Sequence, residues 1–319
     1  MGHLLPKRKE ILMNSWPSWE SRNPSLGQPL PPSPQNEDVR LSMIPEMRQS
    51  LLPTAKPVLT NIADQCIAYD VYSVSELRKY VPFEKYVKQY SLPRINEVPG
   101  FVNAGINCAQ TYMVNHQSFN RFRWLMTHMR YDPWQSQCLD KIMEVNRVDK
   151  LQFARDVFDI LMEVDPKVNA IFIHGQPNTG KTLLLGLLAD MFVSVRVTIQ
   201  DCKGSFYFQQ MLNKSIIFCD EMFVTKDTVD SWKMILAGHV IDINCKNSEY
   251  QRLSRTPTLI ASNHRRLGRG FLPQVDENAL KIRCKVYEFN TDISQYMSHV
   301  IDKEALAYWL FDCIKEELQ

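Results

Sequence analysis

From residue 146 to residue 291, short continuous apolar runs alternate with longer segments in which apolar residues recur at helical spacing. Continuous apolar runs are typical of strands covered on both faces, and strands that alternate with helices pair in parallel. The pattern therefore predicts an α/β sandwich around a mainly parallel sheet. Strands are predicted at residues 170–174, 194–199, 215–219, 258–262 and 285–289.

Helices are predicted before the first and after the last of these strands in sequence. Residues 51–145 form a mostly helical region, in which a helix over Val74–Tyr90 is interrupted at Pro82. A second helix, Phe119–Arg130, has a basic side that suits either a solvated surface or a contact with nucleic acid. Residues 292–319 are predicted as a C-terminal helical tail. The basic side consists of Arg121, Arg123 and Arg130.

An amphipathic helix is predicted at residues 148–164, directly before the first strand of the sheet. Its apolar positions recur every three or four residues, so one side should face the core and the other water. The pattern suits either a core helix or a subunit-contact helix. The side predicted to face water carries Arg155, Asp156, Asp159 and Glu163.

Residues 1–50 contain eight of the 18 prolines and are predicted to form a disordered tail. Proline removes backbone hydrogen-bond donors, and the segment offers little apolar surface to bury. The basic run Lys7-Arg8-Lys9 suits either a nuclear-import signal or a solvated tail.

The composition narrows the expected partners. The formal net charge is +2, so binding of nucleic acid must depend on a few well-placed cations. The eight cysteines are scattered without zinc-like spacing, which predicts buried thiols of a reducing compartment and not a disulfide framework. No apolar run is long enough for a transmembrane helix, so no membrane partner is expected.

The strongest chemical motif follows the first predicted strand. Gly175-x-x-x-x-Gly180-Lys181-Thr182 lies between an apolar strand and an apolar helix, which is the setting of a nucleoside-triphosphate P-loop. Lys181 should reach the β- and γ-phosphates, and the Thr182 hydroxyl should bind Mg²⁺, so ATP and Mg²⁺ are the predicted cofactors. The residues predicted to contact nucleotide are Gly175, Gln176, Pro177, Asn178, Thr179, Gly180, Lys181 and Thr182.

A later apolar strand ends in Asp220-Glu221, 39 residues after Lys181. Because ligands in parallel α/β sheets bind at the carboxyl ends of the strands, both carboxylates should lie beside the P-loop. Asp220 is placed to bind hydrated Mg²⁺, and Glu221 to orient or deprotonate the attacking water.

Two further elements carry candidate residues. Asn263 follows the strand Thr258–Ser262, and its amide suits a contact with the γ-phosphate and the attacking water. The segment from Gly238 to Leu253 predicts a β-hairpin with Lys246 near its tip.

In order and spacing, these four elements resemble the motifs of superfamily 3 helicases of small DNA viruses. They are most similar to the large non-structural replication protein of parvoviruses, in the short form found in insect bidensoviruses. The segment that begins at Gly204 resembles the family's connecting segment, and the resemblance covers residues 140–291. The fold it implies is an AAA+-like P-loop sandwich.

The resemblance implies a hexameric homo-oligomer that holds ATP between subunits and acts on single-stranded or forked DNA. Lys246 would hold a DNA phosphate in the central channel. Arg283, within Leu280-x-x-Arg283, would be the arginine finger that reaches the neighbouring subunit, with Arg265, Arg266 and Arg269 as competing candidates. The near-side residues would be Lys181, Thr182, Asp220, Glu221 and Asn263.

We therefore expect an ATP-dependent DNA helicase of viral DNA replication, which acts in the host nucleus and translocates on single-stranded DNA. His116 and His128 are too far apart for the metal site of a nicking nuclease, so a separate nickase or host replication proteins are expected partners. Two alternatives stay open. One is an ATP-switched DNA-binding or assembly regulator without unwinding, and the other is a genome-packaging ATPase.

Overall fold

The computed structural model describes residues 57–82, 84–85, 88, 97–198, 206–246, 249–297 and 300–318. The predicted tail at residues 1–50 and the start of the connecting segment at Gly204 lie outside the described residues. The described chain divides into two compact units, of which one ends at Phe119 and the other begins at Asn120.

The described residues of the first unit form the helices α1 (Pro57–Tyr69), α2 (Val74–Tyr80) and α3 (Glu97–Phe119). Ser73 caps α2, because its hydroxyl accepts the backbone N–H of Glu76 at 3.2 Å. Gly105 lets α1 and α3 approach closely, since a Cβ atom there would lie 2.6 Å from Cγ2 of Ile62. The core of this unit includes Ile62, Ile67, Leu77, Val102, Ile106 and Met113.

The second unit contains a five-stranded parallel sheet and a separate hairpin. The strands are β1 (Ala170–Gly175), β2 (Ser194–Thr198), β3 (Ile216–Asp220), β4 (Ile241–Ile243), β5 (Gln251–Leu253), β6 (Thr258–Ser262) and β7 (Cys284–Phe289). The order in the parallel sheet is β2-β3-β6-β1-β7, and β4 pairs with β5 in the antiparallel hairpin. The five sheet strands lie within one residue of their predicted bounds, and the predicted α/β class is confirmed.

The strand β1 lies between β6 and β7, and its residues Ala170–Ile173 are fully buried. Burial on both faces explains the unbroken apolar run, since full burial of an Ile or Phe side chain stabilises the fold by about 1.5–3 kcal/mol. The register pairs His174 with Ser262 on β6, and Asp220 at the end of β3 with Ala261 on the other side of β6. The carboxyl ends of β1, β3 and β6 therefore share one edge of the sheet.

At the opposite edge, Asn169 fixes the start of β1. Its side chain is fully buried and donates to the carbonyls of Ile235 at 3.2 Å and Thr256 at 2.8 Å. Its carbonyl oxygen Oδ1 accepts Nε of Arg255 at 3.1 Å. One amide side chain thus ties β1 to the segments that precede β4 and β6.

The helices of the second unit lie around the sheet. In chain order they are α4 (Arg121–Thr127), α5 (Pro133–Val145), α6 (Lys150–Leu161), α7 (Lys181–Ala189), α8 (Val229–Leu236), α9 (Gln274–Lys281) and α10 (Lys303–Leu318). A short 3₁₀ helix, Tyr207–Met211, precedes β3.

A domain boundary was predicted at residue 146, and residues 292–319 were predicted to form a separate tail. The structure differs at both places. Nε1 of Trp309 on α10 donates to Asp140 on α5 at 3.0 Å, and Arg155 on α6 pairs with Glu317 on α10. The amide of Gln135 on α5 also donates to Asp302, just before α10, at 3.0 Å. The second unit therefore begins before α4 and includes α10, which apolar periodicity within each segment could not reveal.

The predicted basic side of the helix at residues 119–130 does not include Arg121. The helix α4 ends at Thr127, and Arg121 is only 3% exposed. Its Nε donates to the carbonyl of Ser215 at 3.0 Å, and Nη1 pairs with Glu163 at 2.9 Å. Arg121 is thus neither solvated nor available to nucleic acid, because it satisfies the backbone at the start of β3.

The prediction that Asp156 and Asp159 of α6 face water is also wrong, because both side chains are buried. Asp156 accepts the hydroxyl of Tyr287 at 2.6 Å and pairs with Lys285 at 3.2 Å. Burial and the neighbouring carboxylate raise the pKa of Tyr287, which keeps it protonated as a donor. The strand β7 covers this second side of α6, and its polar partners allow carboxylates to be buried.

The seven described cysteines are free, but only four of them are buried as predicted, and the other three are half-buried. Burial raises the pKa of Cys66, Cys284 and Cys313 to about 12, so these thiols stay protonated. Among the described residues, no helix combines the length and apolar character that crossing a membrane requires.

We predict that Leu310→Ala lowers the free energy of unfolding by about 3 kcal/mol, because truncation leaves a cavity. Leu310 lies on α10 and is only 1% exposed. Urea denaturation followed by circular dichroism measures the loss. Glu316→Ala, on an exposed position of the same helix, is the matched control and should change stability little. Equal small effects would show that α10 does not contribute to the core.

Candidate active site

The loop between β1 and α7 has a backbone that only particular residues accept. Gly175 has a φ of +137°, and a Cβ atom there would lie 1.9 Å from the carbonyl oxygen of Phe289. Gly180 has a φ of +89°, and Asn178 has a φ of +58°. These left-handed positions curl the chain tightly before α7 begins at Lys181, which explains why glycines occupy both ends of the motif.

Lys181 points back into this loop and is only 5% exposed. Its Nζ donates to the carbonyl of Gly175 at 3.1 Å, to Oγ1 of Thr179 at 3.2 Å and to the carbonyl of Gln176. Removal from water lowers the pKa of the Lys181 ammonium, and the charges of Glu221 and Asp220 oppose that shift. The hydrogen-bond partners of this cation in the loop are all neutral, so it is suited to bind an anion.

The structure brings Thr182 and Asp220 together, as predicted. Oγ1 of Thr182 donates to Oδ1 of Asp220 at 3.3 Å. The other carboxylate oxygen pairs with Arg196 of β2, whose guanidinium also lies 5.2 Å from the ring centroid of Phe218. Among the described residues, no group of three or more His, Cys, Asp or Glu side chains could hold a metal ion.

Glu221 and Asn263 also meet at this edge. Glu221 has a φ of +58°, which turns its side chain towards the end of β6. Its Oε1 accepts the backbone N–H of Asn263 at 2.8 Å, and its Oε2 accepts the hydroxyl of Ser262 at 3.3 Å. Nη2 of Arg269 donates to Oε2 at 3.2 Å. A carboxylate held by three donors next to the lysine loop is suited to orient a water molecule.

Arg283 does not join this group. It precedes β7, and its carbonyl accepts the backbone N–H of Asn169 at 3.2 Å, at the amino edge of the sheet. Gly175 is six residues along β1 from Asn169, which corresponds to about 20 Å along the strand. Arg283 therefore cannot reach the loop of its own chain.

Lys246 lies in the hairpin, outside the parallel sheet. Its side chain is exposed, and its backbone N–H donates to Oε1 of Gln209 at 3.0 Å. Gln209 belongs to the 3₁₀ helix of the connecting segment, so this segment anchors the hairpin. On the strands, Asp242 pairs with Arg252 at 3.5 Å across the hairpin.

Two arginines at the site were not assigned there from sequence. Arg196 was not singled out, although a charged residue within the apolar strand β2 is a signal for a polar partner at the sheet edge. Arg269 was considered only as a finger towards a neighbour, whereas it contacts Glu221 of its own chain. Both contacts join residues far apart in sequence, which local patterns do not reveal.

A parallel sheet with a glycine–lysine loop and an acidic pair at its carboxyl edge defines the P-loop α/β class. A family model described as parvovirus non-structural protein NS1 matches residues 88–312. The chain belongs to this family, and the resemblance to parvoviral replication proteins is confirmed.

Relatives with known names are similar over part of their length. The chain is 27% identical to the replication protein E1 of Human papillomavirus 17 over 126 residues, 38% of this chain and 21% of that protein. It is 23% identical to the initiator protein NS1 of Junonia coenia densovirus over 184 residues, 55% of this chain and 32% of that protein. The chain thus spans less than a third of the length of either relative.

Among solved structures, the X-ray structure of JCV helicase is similar with a TM-score of 0.43 and 12% identity. The match covers 99% of this chain and 91% of that one.

Proposed function

We propose that this chain is an ATP-dependent DNA helicase of viral DNA replication, which works as a ring on single-stranded DNA. The observation that carries the proposal is the meeting of Lys181, Thr182, Asp220 and Glu221 at one edge of the sheet. Membership of the NS1 family supports the link to viral replication, since relatives are named initiator or replication proteins.

The residues of the loop fit the triphosphate of ATP. The backbone curls at Gly175 and Gly180. Among the described residues, the buried Lys181 ammonium is hydrogen-bonded to neutral acceptors only, so a phosphate would supply its counter-charge. Thr182 and Asp220 fit Mg²⁺, which takes one or two protein ligands and completes its shell with water and phosphate oxygens. When bound, ATP with Mg²⁺ supplies the phosphoanhydride bond whose hydrolysis drives movement.

Glu221 is the residue that we assign to the attacking water. The N–H of Asn263 holds one carboxylate oxygen of Glu221, and the hydroxyl of Ser262 holds the other. A carboxylate so oriented accepts the proton of the water, or holds that water in line for attack. The side chain of Asn263 is exposed at the same edge, which suits the predicted contact with the γ-phosphate.

The position of Arg283 supports assembly of several copies. Because Arg283 lies at the amino edge of the sheet, it is suited to complete the site of a neighbouring copy in a head-to-tail ring, which we propose to be a hexamer. Ile282, which precedes Arg283 in sequence, is 71% exposed, and Val275 in the first turn of α9 is 72% exposed. Such exposure on and just after α9 suits a subunit contact.

Lys246 is the proposed DNA contact. The net charge of +2 leaves little general attraction for a polyanion, and Lys246 combines exposure with a backbone anchored by Gln209. An exposed cation on a fixed hairpin can hold one phosphate and move with the hairpin.

We predict that Lys181→Ala and Glu221→Gln separate nucleotide binding from hydrolysis. Lys181→Ala should abolish both, because the phosphates lose their main counter-charge. Glu221→Gln should bind ATP normally and hydrolyse it about 10²- to 10⁴-fold more slowly, because the water loses its base. Titration with a fluorescent ATP analogue and a phosphate-release assay measure the two properties.

Lys167→Ala, an exposed lysine before β1, is the control for loss of a positive charge. Hydrolysis by Glu221→Gln at the wild-type rate would show that another group activates the water. Absence of hydrolysis by folded wild-type protein under all nucleotide and DNA conditions would contradict the proposed function.

We predict that Lys246→Ala hydrolyses ATP without DNA at the normal rate, loses DNA stimulation and does not separate strands. In a plot of the logarithm of the single-strand binding constant against the logarithm of salt concentration, the slope should become shallower by about 0.7 for each lost phosphate contact. The measurement is unwinding of a forked duplex at matched ATPase rates.

Arg252→Ala is the matched control within the hairpin, because Arg252 is also an exposed cation but pairs with Asp242 across the strands. Its effect on unwinding should be smaller than that of Lys246→Ala. Equal unwinding by wild type and Lys246→Ala would exclude the hairpin mechanism and favour an ATP-switched binding protein.

A further inference from the structure

Arg269 contacts Glu221 of its own chain. The proposed reaction does not yet assign a role to this contact. Its Nη2 donates to Oε2 of Glu221 at 3.2 Å and to the backbone carbonyl of Glu221 at 3.1 Å. The arginine side chain is 21% exposed, so the pair is shielded from water on most sides. The same guanidinium therefore fixes both the backbone and the carboxylate of one residue.

The loop that carries Arg269 is held rigidly. Glu277 on α9 is fully buried and accepts the backbone N–H groups of Leu267 at 3.0 Å and Gly268 at 2.8 Å. The carbonyl of Leu267 in turn accepts the N–H of Val224, just after the acidic pair. A Cβ atom at Gly268 would lie 2.4 Å from Leu272, so the loop packs too closely for a side chain there.

Aromatic side chains support the arginine itself. The guanidinium carbon lies 5.7 Å from the ring centroid of Phe223, and Phe271 packs edge-on against that ring at 6.0 Å. Arg269 has a φ of +49°, and its Nε is buried without a hydrogen-bond acceptor among the described residues. A left-handed backbone and an unsatisfied donor are unfavourable, and such features concentrate at functional sites.

We propose that Arg269 is a positioning residue for Glu221 of its own chain. This inference rests on the proposed function, in which Glu221 acts on the attacking water. Arg269 holds Oε2, while the N–H of Asn263 holds Oε1, so the carboxylate keeps one orientation relative to the lysine loop. The same contact removes Arg269 from the candidates for a finger that reaches a neighbouring copy.

Arg269→Gln should lower the turnover number for ATP by about 10²-fold and leave KM nearly unchanged, because misplacement of a catalytic group affects the chemical step. Arg269→Lys keeps the cation and should recover part of that loss. Lys226→Gln, an exposed cation on the loop after β3, is the matched control and should behave as wild type. Thermal unfolding and ATP-analogue binding establish that each variant is folded and binds nucleotide.

A double variant separates positioning from a general structural role. In the Glu221→Gln background, Arg269→Gln should change the residual rate by less than about 2-fold, because the positioned group is already lost. An equal loss in both backgrounds, or wild-type turnover by Arg269→Gln, would overturn the inference while leaving the ATPase intact. Absence of hydrolysis by the wild-type chain would instead contradict the proposed function and this inference together.

Discussion

Parallel pairing of β1 with β6, and of β6 with β3, is the constraint on which the candidate site depends. Because the strands run in one direction and the register pairs His174 with Ser262 and Asp220 with Ala261, three strand ends coincide at one edge. The lysine loop, the acidic pair and the N–H of Asn263 follow those ends directly. A shift of one residue in either pairing would turn the side chains to opposite faces and separate Asp220 from Thr182. The chemistry is thus a consequence of sheet register before it is a property of any single side chain.

Buried polar groups keep that register fixed. Asn169 anchors the start of β1, Arg121 satisfies the backbone before β3, and Glu277 holds the loop after β6. Each group has its partners within the second unit, so the interior can hold charge without an uncompensated desolvation cost. Asp156 has the same role between α6 and β7. The elements at the carboxyl edge are therefore supported from the opposite edge and from the surrounding helices.

The sheet and the P-loop were predictable from sequence because both leave local signals. Strands buried on two faces give unbroken apolar runs, and the glycine–lysine motif requires a fixed spacing. The side of α6 that faces water was not predictable, because Asp156 is buried against β7 and its partner Tyr287 lies 131 positions away in sequence. The extent of the second unit was missed for the same reason, since α5 and α10 meet only in the folded chain. Arg269 was a candidate for the arginine finger from sequence, but only the fold shows that it contacts Glu221 of its own chain.

The central claim is that each copy holds the phosphate loop and the water-activating carboxylate, while a neighbour supplies Arg283. Mixing Lys181→Ala and Arg283→Ala chains in equal amounts tests it most directly, with the ATPase rate and the oligomer mass measured together. In a head-to-tail ring with random mixing, about a quarter of the interfaces would combine an intact Lys181 with an intact Arg283. The account predicts that the mixture hydrolyses ATP faster than either variant alone. A mixture that assembles normally and stays inactive would contradict it.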